Sequence, residues 1–183
     1  MSERLFLAVA LSDDVRHGLA AHLATQLGGR PIPGRPARPE GWHITLRFLG
    51  WATEEQRDRV LGFLSTRMDV PPFTLGFGGL GAFPREGRAA VLWLGVRRGD
   101  EELSRLAALA EDAASAAGFE PEERPFHAHV TLARIRPPQD VSALVADVAD
   151  FPLTQEVTAM TMFRSHLVRG GARYEPVERV DLR

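Results

Sequence analysis

The chain contains no cysteine. That removes a disulfide framework, a thiolate nucleophile and any cysteine-based zinc site. Lysine is missing too, so all 22 basic residues are arginine. Genomic codon bias is the plain reading of that skew, although an arginine fork suits phosphate oxygens wherever one reaches a site. No run of eighteen apolar residues exists, which excludes a transmembrane helix. The N-terminal MSERLFLAVALSDD meets acidic residues where a signal peptide would carry a small-residue cleavage site, so it reads as a first strand. A formal net charge of −2 argues against a protein that coats nucleic acid by bulk electrostatics. A cytoplasmic soluble protein is the default expectation.

What is present fits a folded domain. With 183 residues, 44% hydrophobic and 25% charged, the chain can build one core, or two small lobes that share one. A strand is expected over 4–11, then a helix from Asp13, taken as its N-cap, to Leu27 before Gly28-Gly29. Residues 28–41, GGRPIPGRPARPEG, read as a loop, either a solvated connector or a track for an RNA backbone. Thr53-Glu54-Glu55-Gln56 is a capping box opening a helix to about Met68. Strands around 73–83 and 89–96 and an alanine-rich helix over 101–117 come next. The glycine-rich GFGGLGAF (76–83) lacks the G-K-[ST] of a phosphate loop and reads as a bulged strand or a close backbone approach.

The chemistry begins at GWHITLRFLG (41–50). Strand alternation sends His43, Thr45 and Arg47 to one face and Ile44, Leu46 and Phe48 to the other. One H-x-T is weak, but His129-Val130-Thr131-Leu132 repeats His43-Ile44-Thr45-Leu46 at an offset of 86 residues. The same shift lays strand 4–11 on 90–96 and the first helix on the one after Asp100. After each motif come another helix and strand, 53–68 and 73–83, then 139–149 and 153–163. The expectation is residues 1–183 as one bilobal domain made by internal duplication, α+β, with two pseudo-symmetric lobes around a cleft. Each lobe would be an antiparallel sheet with outer helices.

Two histidines across a cleft can serve as acid and base in one reaction. Two threonine hydroxyls can donate to an oxyanion between them. That set suits displacement at phosphorus without a metal. His127 shares the face of His129, and H-x-H can bind metal, but no carboxylate or third ligand accompanies it locally. It reads as a cleft-rim neighbour. Arg47, on the cleft face by parity, is assigned to substrate, with a carboxylate partner as the alternative. His17, His22 and His166 read as structural.

The paired motifs resemble the 2H phosphoesterase superfamily. WHITLRFLG and RPFHAHVTLAR in particular are similar to the RNA 2′,3′-cyclic phosphodiesterases, historically called 2′-5′ RNA ligases. The likeness extends to RLFLAVAL at the start and FRSHLVRGGARYEPV near the finish. One departure is Ala128, where members commonly carry proline, on the core-facing side. The resemblance implies a positively charged cleft and hydrolysis of an RNA terminal 2′,3′-cyclic phosphate to a 2′-phosphate without metal or cofactor. It implies His43 as proton donor to the leaving oxygen and His129 as the base for water, roles that pseudo-symmetry makes interchangeable on sequence alone. Thr45 and Thr131 would hold the non-bridging oxygens. Arg134 matches the family's substrate arginine, provided the strand ends or bends by residue 133. Weak 2′-5′ ligase activity would accompany hydrolysis. Small cyclic nucleotides, 2′-5′ oligonucleotides, a non-catalytic RNA-end binder and a His127/His129 metal hydrolase are the alternatives. RNA ends are the only partner implied, and a monomer is expected.

Overall fold

The computed structural model describes residues 2–183. The elements in chain order are β1 (Ser2–Ala10), α1 (Asp13–Leu27), β2 (Arg35–Pro36), β3 (His43–Thr53), α2 (Glu54–Arg67), β4 (Phe73–Phe83) and β5 (Ala89–Arg98). Then come α3 (Asp100–Ala116), β6 (His129–Gln139), α4 (Ser142–Asp147), β7 (Thr154–Val157), β8 (Ala159–Val168) and β9 (Gly171–Asp181). The class is α+β, as expected.

Local chemistry accounts for the helices. Ser12, not Asp13, caps α1 by accepting from the Val15 N–H. Asp13 and Asp14 instead occupy the first turn, where the helix dipole favours carboxylates. Val15, Leu19, Leu23 and Leu27 recur every fourth residue and form its buried stripe, and Gly28 closes the helix in the left-handed conformation. Thr53 and Gln56 form the expected reciprocal capping box of α2. On α3 the buried face is largely alanine, which lets the helix sit close to its neighbours. The α4 helix is shorter than the 139–149 expected, because β6 runs on through Pro137 and Pro138 to Gln139. A proline holds the residue before it out of the helical region.

The strands join in one antiparallel sheet, ordered β7-β4-β5-β6-β3-β1-β8-β9, with β2 added beside β6. The segment expected as a single strand over 153–163 breaks at Thr158 into β7 and β8. These lie near opposite ends of the strand order although one residue links them. Consecutive Cα atoms are 3.8 Å apart, so the sheet must curl until its ends approach. The two halves, β3-β1-β8-β9 and β6-β5-β4-β7, meet through a single bridge, Ile44 to Val130. One apolar core runs through Leu5, Leu7, Ile44, Leu92, Val130 and the inner faces of the helices. The glycine-rich stretch forms β4 with register shifts at Gly76/Phe77 and Phe77/Leu80. Gly81 leaves room for the ring of Trp93 lying over the strand. Among the described residues no helix is long and apolar enough to cross a membrane.

Candidate active site

The central bridge organises the site. Because Ile44 faces Val130 in antiparallel register, His43 lies across from Thr131 and Thr45 across from His129. Ile44 and Val130 are fully buried, so the four polar side chains share the opposite, open face. The histidines are diagonal neighbours, positions that lie about 7–8 Å apart in a sheet.

Both imidazoles are held by the same device. His43 Nδ1 donates to the Gly41 carbonyl at 2.7 Å, and His129 Nδ1 donates to the His127 carbonyl at 2.7 Å. A carbonyl can only accept, so in each neutral ring Nε2 carries the lone pair. The Thr45 hydroxyl donates to His43 Nε2 at 3.0 Å. Aromatic rings wall each histidine. Phe6 and Tyr174 lie 4.9 and 5.0 Å from His43, and Phe83 stands edge-on to His129 at 5.0 Å. Burial pushes His43 down to about 4, with the Gly41 bond opposing and the neighbouring His129 adding to the shift. Burial also lowers His129, partly offset by the His127 carbonyl, while His127 and Arg134 disfavour a further positive charge.

The arginines depart from simple alternation for one reason. In the pairing of β1 with β3, Ala8 faces Thr45 but Leu7 faces Arg47, so Leu46 is a bulge. The bulge reverses the parity of the residues beyond it. Arg47 therefore does not face the cleft, which corrects its assignment to substrate. Only 9% exposed, it pairs with Glu111 of α3 and donates to the Glu120 and Phe48 carbonyls. The equivalent bulge in β6 falls at Leu132, since Leu92 faces Ala133 and Trp93 faces Thr131. That bulge supplies the bend Arg134 requires, and brings it to the open face beside His129. Phe48, 52% exposed, holds the matching position 86 residues earlier, on the face of His43.

Three of the remaining histidines pack against aromatic or acidic neighbours. His127 packs edge-on against Trp93 at 4.8 Å, and no group of three or more His, Cys, Asp or Glu able to hold a metal occurs among the described residues. His22 lies against Phe151, and His166 pairs with Glu175.

Sequence reasoning missed the aromatic walls and a pocket of about 600 Å³ beside His43. Arg16, Glu40, Trp42, Phe163, Tyr174 and Arg179 are among its lining residues, and neither His129 nor Thr131 is. Phe163 and Tyr174 belong to the β8–β9 hairpin. Its one legible signal was Gly170-Gly171 between two runs of strand character.

A family described as the 2′-5′ RNA ligase superfamily matches residues 11–169. The chain belongs to that superfamily. It is 34% identical over 178 residues to an RNA 2′,3′-cyclic phosphodiesterase of Escherichia coli, covering 97% of this chain and 95% of that protein. It is also 34% identical to one of Aeropyrum pernix, covering 89% and 94%. The crystal structure of E. coli LigT complexed with 3′-AMP superposes with a TM-score of 0.80 at 30% identity, covering 100% of this chain and 99% of that one.

Proposed function

We propose that this protein hydrolyses RNA terminal 2′,3′-cyclic phosphates to 2′-phosphates by paired-histidine acid–base catalysis. The chain is an RNA 2′,3′-cyclic phosphodiesterase by family, as are the relatives named above. The observation that supports the mechanism is the matched pair of Nδ1 bonds, which turns both Nε2 atoms toward the open face, that of His43 meeting the Thr45 hydroxyl there. In the reaction His129 Nε2 takes a proton from water as the water oxygen bonds to phosphorus. The P–O3′ bond breaks in line, and His43 Nε2–H gives its proton to O3′. Thr45 and Thr131 donate to the non-bridging oxygens, the Thr45 hydroxyl turning from His43 once that ring is protonated. With a 5′-hydroxyl in place of water the same displacement would form a 2′-5′ linkage, the route by which we propose weak ligase activity accompanies hydrolysis.

The direction of proton flow has its own support. O3′ belongs to the ribose, so the terminal nucleoside lies on the side of the acid. The 600 Å³ pocket adjoins His43 and not His129, and its size is that of a small-molecule site. The chain itself we read as one bilobal unit made by duplication, with its acid and base on the two equivalent strands. A short RNA with a 2′,3′-cyclic end, incubated with EDTA, tests the mechanism. Wild type should yield a 2′-phosphate, and His43→Ala and His129→Ala should each lose about 10²-fold or more. An inert wild type, or one dispensable histidine, would overturn it.

A further inference from the structure

The open face runs on beyond the first motif. Along β1, Ala8, Phe6 and Arg4 alternate onto one side, and they face Thr45, Phe48 and Trp51 of β3. Those β3 residues are three apart in sequence where plain alternation would make them two apart, so an extra residue enters at each step. The bulge at Leu46 brings Phe48 to the open face. The second shift falls between the Phe6–Phe48 and Leu5–Gly50 pairs, and Gly50 takes the left-handed conformation there, with φ of +72°. Without that bulge Trp51 would point into the core. Instead Ala52 does, fully buried, and Trp51 turns outward.

The result is a row of aromatic rings presented to solvent. Phe48 is 52% exposed and Trp51 68%, while Phe6 is buried against Phe48 with ring centroids 5.7 Å apart. Because the facing β1 residues are two apart, Thr45, Phe48 and Trp51 follow one another in steps of about 6.8 Å. The sugar–phosphate repeat of an extended single strand can span such a step. Arg4, directly across from Trp51, has no carboxylate partner among the described residues, whereas Arg57 and Arg164 both engage Glu3. Exposed rings beside an uncompensated cation are the two elements of a single-stranded nucleic-acid surface, the rings taking bases and the cation the backbone. The row also continues the face of His43 and Thr45, so a ligand lying on Phe48 lies next to the reacting phosphate.

We propose that Phe48 and Trp51 are stacking platforms for the RNA chain leading to the cyclic end, Phe48 for the penultimate base and Trp51 for the base before it. The inference rests on the function proposed above. A cyclic end carries chain only on its 5′ side, so every base beyond the terminal one lies upstream. Stacking accepts any base, because each has a π face. The platform therefore favours longer RNA ends over free cyclic nucleotides without reading their sequence.

The test compares kcat/KM for adenosine 2′,3′-cyclic phosphate, a dinucleotide and a trinucleotide with the same end. Trp51→Ala should remove the gain from dinucleotide to trinucleotide, about tenfold, through KM. Trp51→Tyr should recover it, and Trp51→Leu, also apolar but without a π face, should not. Equal losses on all three substrates, or none, would overturn the proposal. Anisotropy of a labelled trinucleotide ending in a 2′-phosphate separates this question from catalysis. Trp51→Ala and an abasic residue third from the end should each weaken that binding about tenfold. Combined, they should weaken it no more than either alone, because they remove the same contact. Both results are expected even if wild type turned over no cyclic end. Additive losses would overturn the platform by themselves. So would unchanged RNA binding with a shift in sedimentation, which would give the patch to a second copy of the chain.

Discussion

Ile44 and Val130 form the one bridge that joins the two halves of the sheet. The pair touches no substrate, yet it sets each histidine opposite the other motif's threonine. Because Thr45 and Thr131 occupy equivalent places about this bridge, each substitution to valine should lower kcat to a similar degree, about 10–100-fold. Single-turnover hydrolysis of a cyclic-phosphate trinucleotide measures it. A large loss at one position with none at the other would show that only one hydroxyl meets the phosphate.

The depressed His43 gives stability a definite pH dependence. An unfolded histidine binds its proton near pH 6.5, whereas folded His43 does so only near 4. Between those values the unfolded chain holds the extra proton. Stability therefore falls as pH drops from about 6.5 to 4, by about 3 kcal/mol from this group. Urea midpoints at pH 7 and pH 4.5 should differ less for His43→Gln than for wild type.

Catalysis should show a related displacement. The free protein has both histidines below their usual range, so the kcat/KM profile should peak on the acid side of neutrality. An anionic phosphate beside His43 stabilises its imidazolium and raises its pKa in the complex. The basic limb of kcat should accordingly lie at higher pH than that of kcat/KM. Superimposed profiles would remove His43 as the acid.

Arg47 and Arg134 should separate stability from activity. Arg47→Ala leaves Glu111 and the Glu120 carbonyl without their partner, which should cost about 3 kcal/mol in chemical denaturation with kcat/KM retained. Arg134→Ala should do the reverse, lowering kcat/KM while moving the unfolding midpoint little. Loss of turnover in folded Arg47→Ala would contradict its place beneath the sheet.

These contrasts mark how far the residues alone could disclose the site. Period-2 alternation put His43 with Thr45 and His129 with Thr131, because those pairs precede any irregularity. It failed at Arg47 because a bulge is decided by the pairing of β1 with β3, and no side chain near Leu46 announces it. Matching the repeats would have exposed the error. Arg134 was required to turn inward after Leu132, and the same turn after Leu46 carries Arg47 away. The starts of α1, α2 and α3 were legible to within a residue, since capping is local, whereas α4 begins three residues later than expected because β6 runs on through two prolines. The walls around His43 were not, since Phe163 and Tyr174 arrive from more than a hundred residues away.

The strand order holds one more implication. With the chain divided at the 86-residue offset, β4 from the first part completes the sheet half built on β5 and β6, and β8 from the second completes the half built on β1 and β3. Each part lends a strand to the other's half, as two partners do in a domain swap. The halves are thus interlocked through long ladders, and neither could fold without the other. Expressed as separate fragments they should remain unfolded alone and recover structure only when mixed.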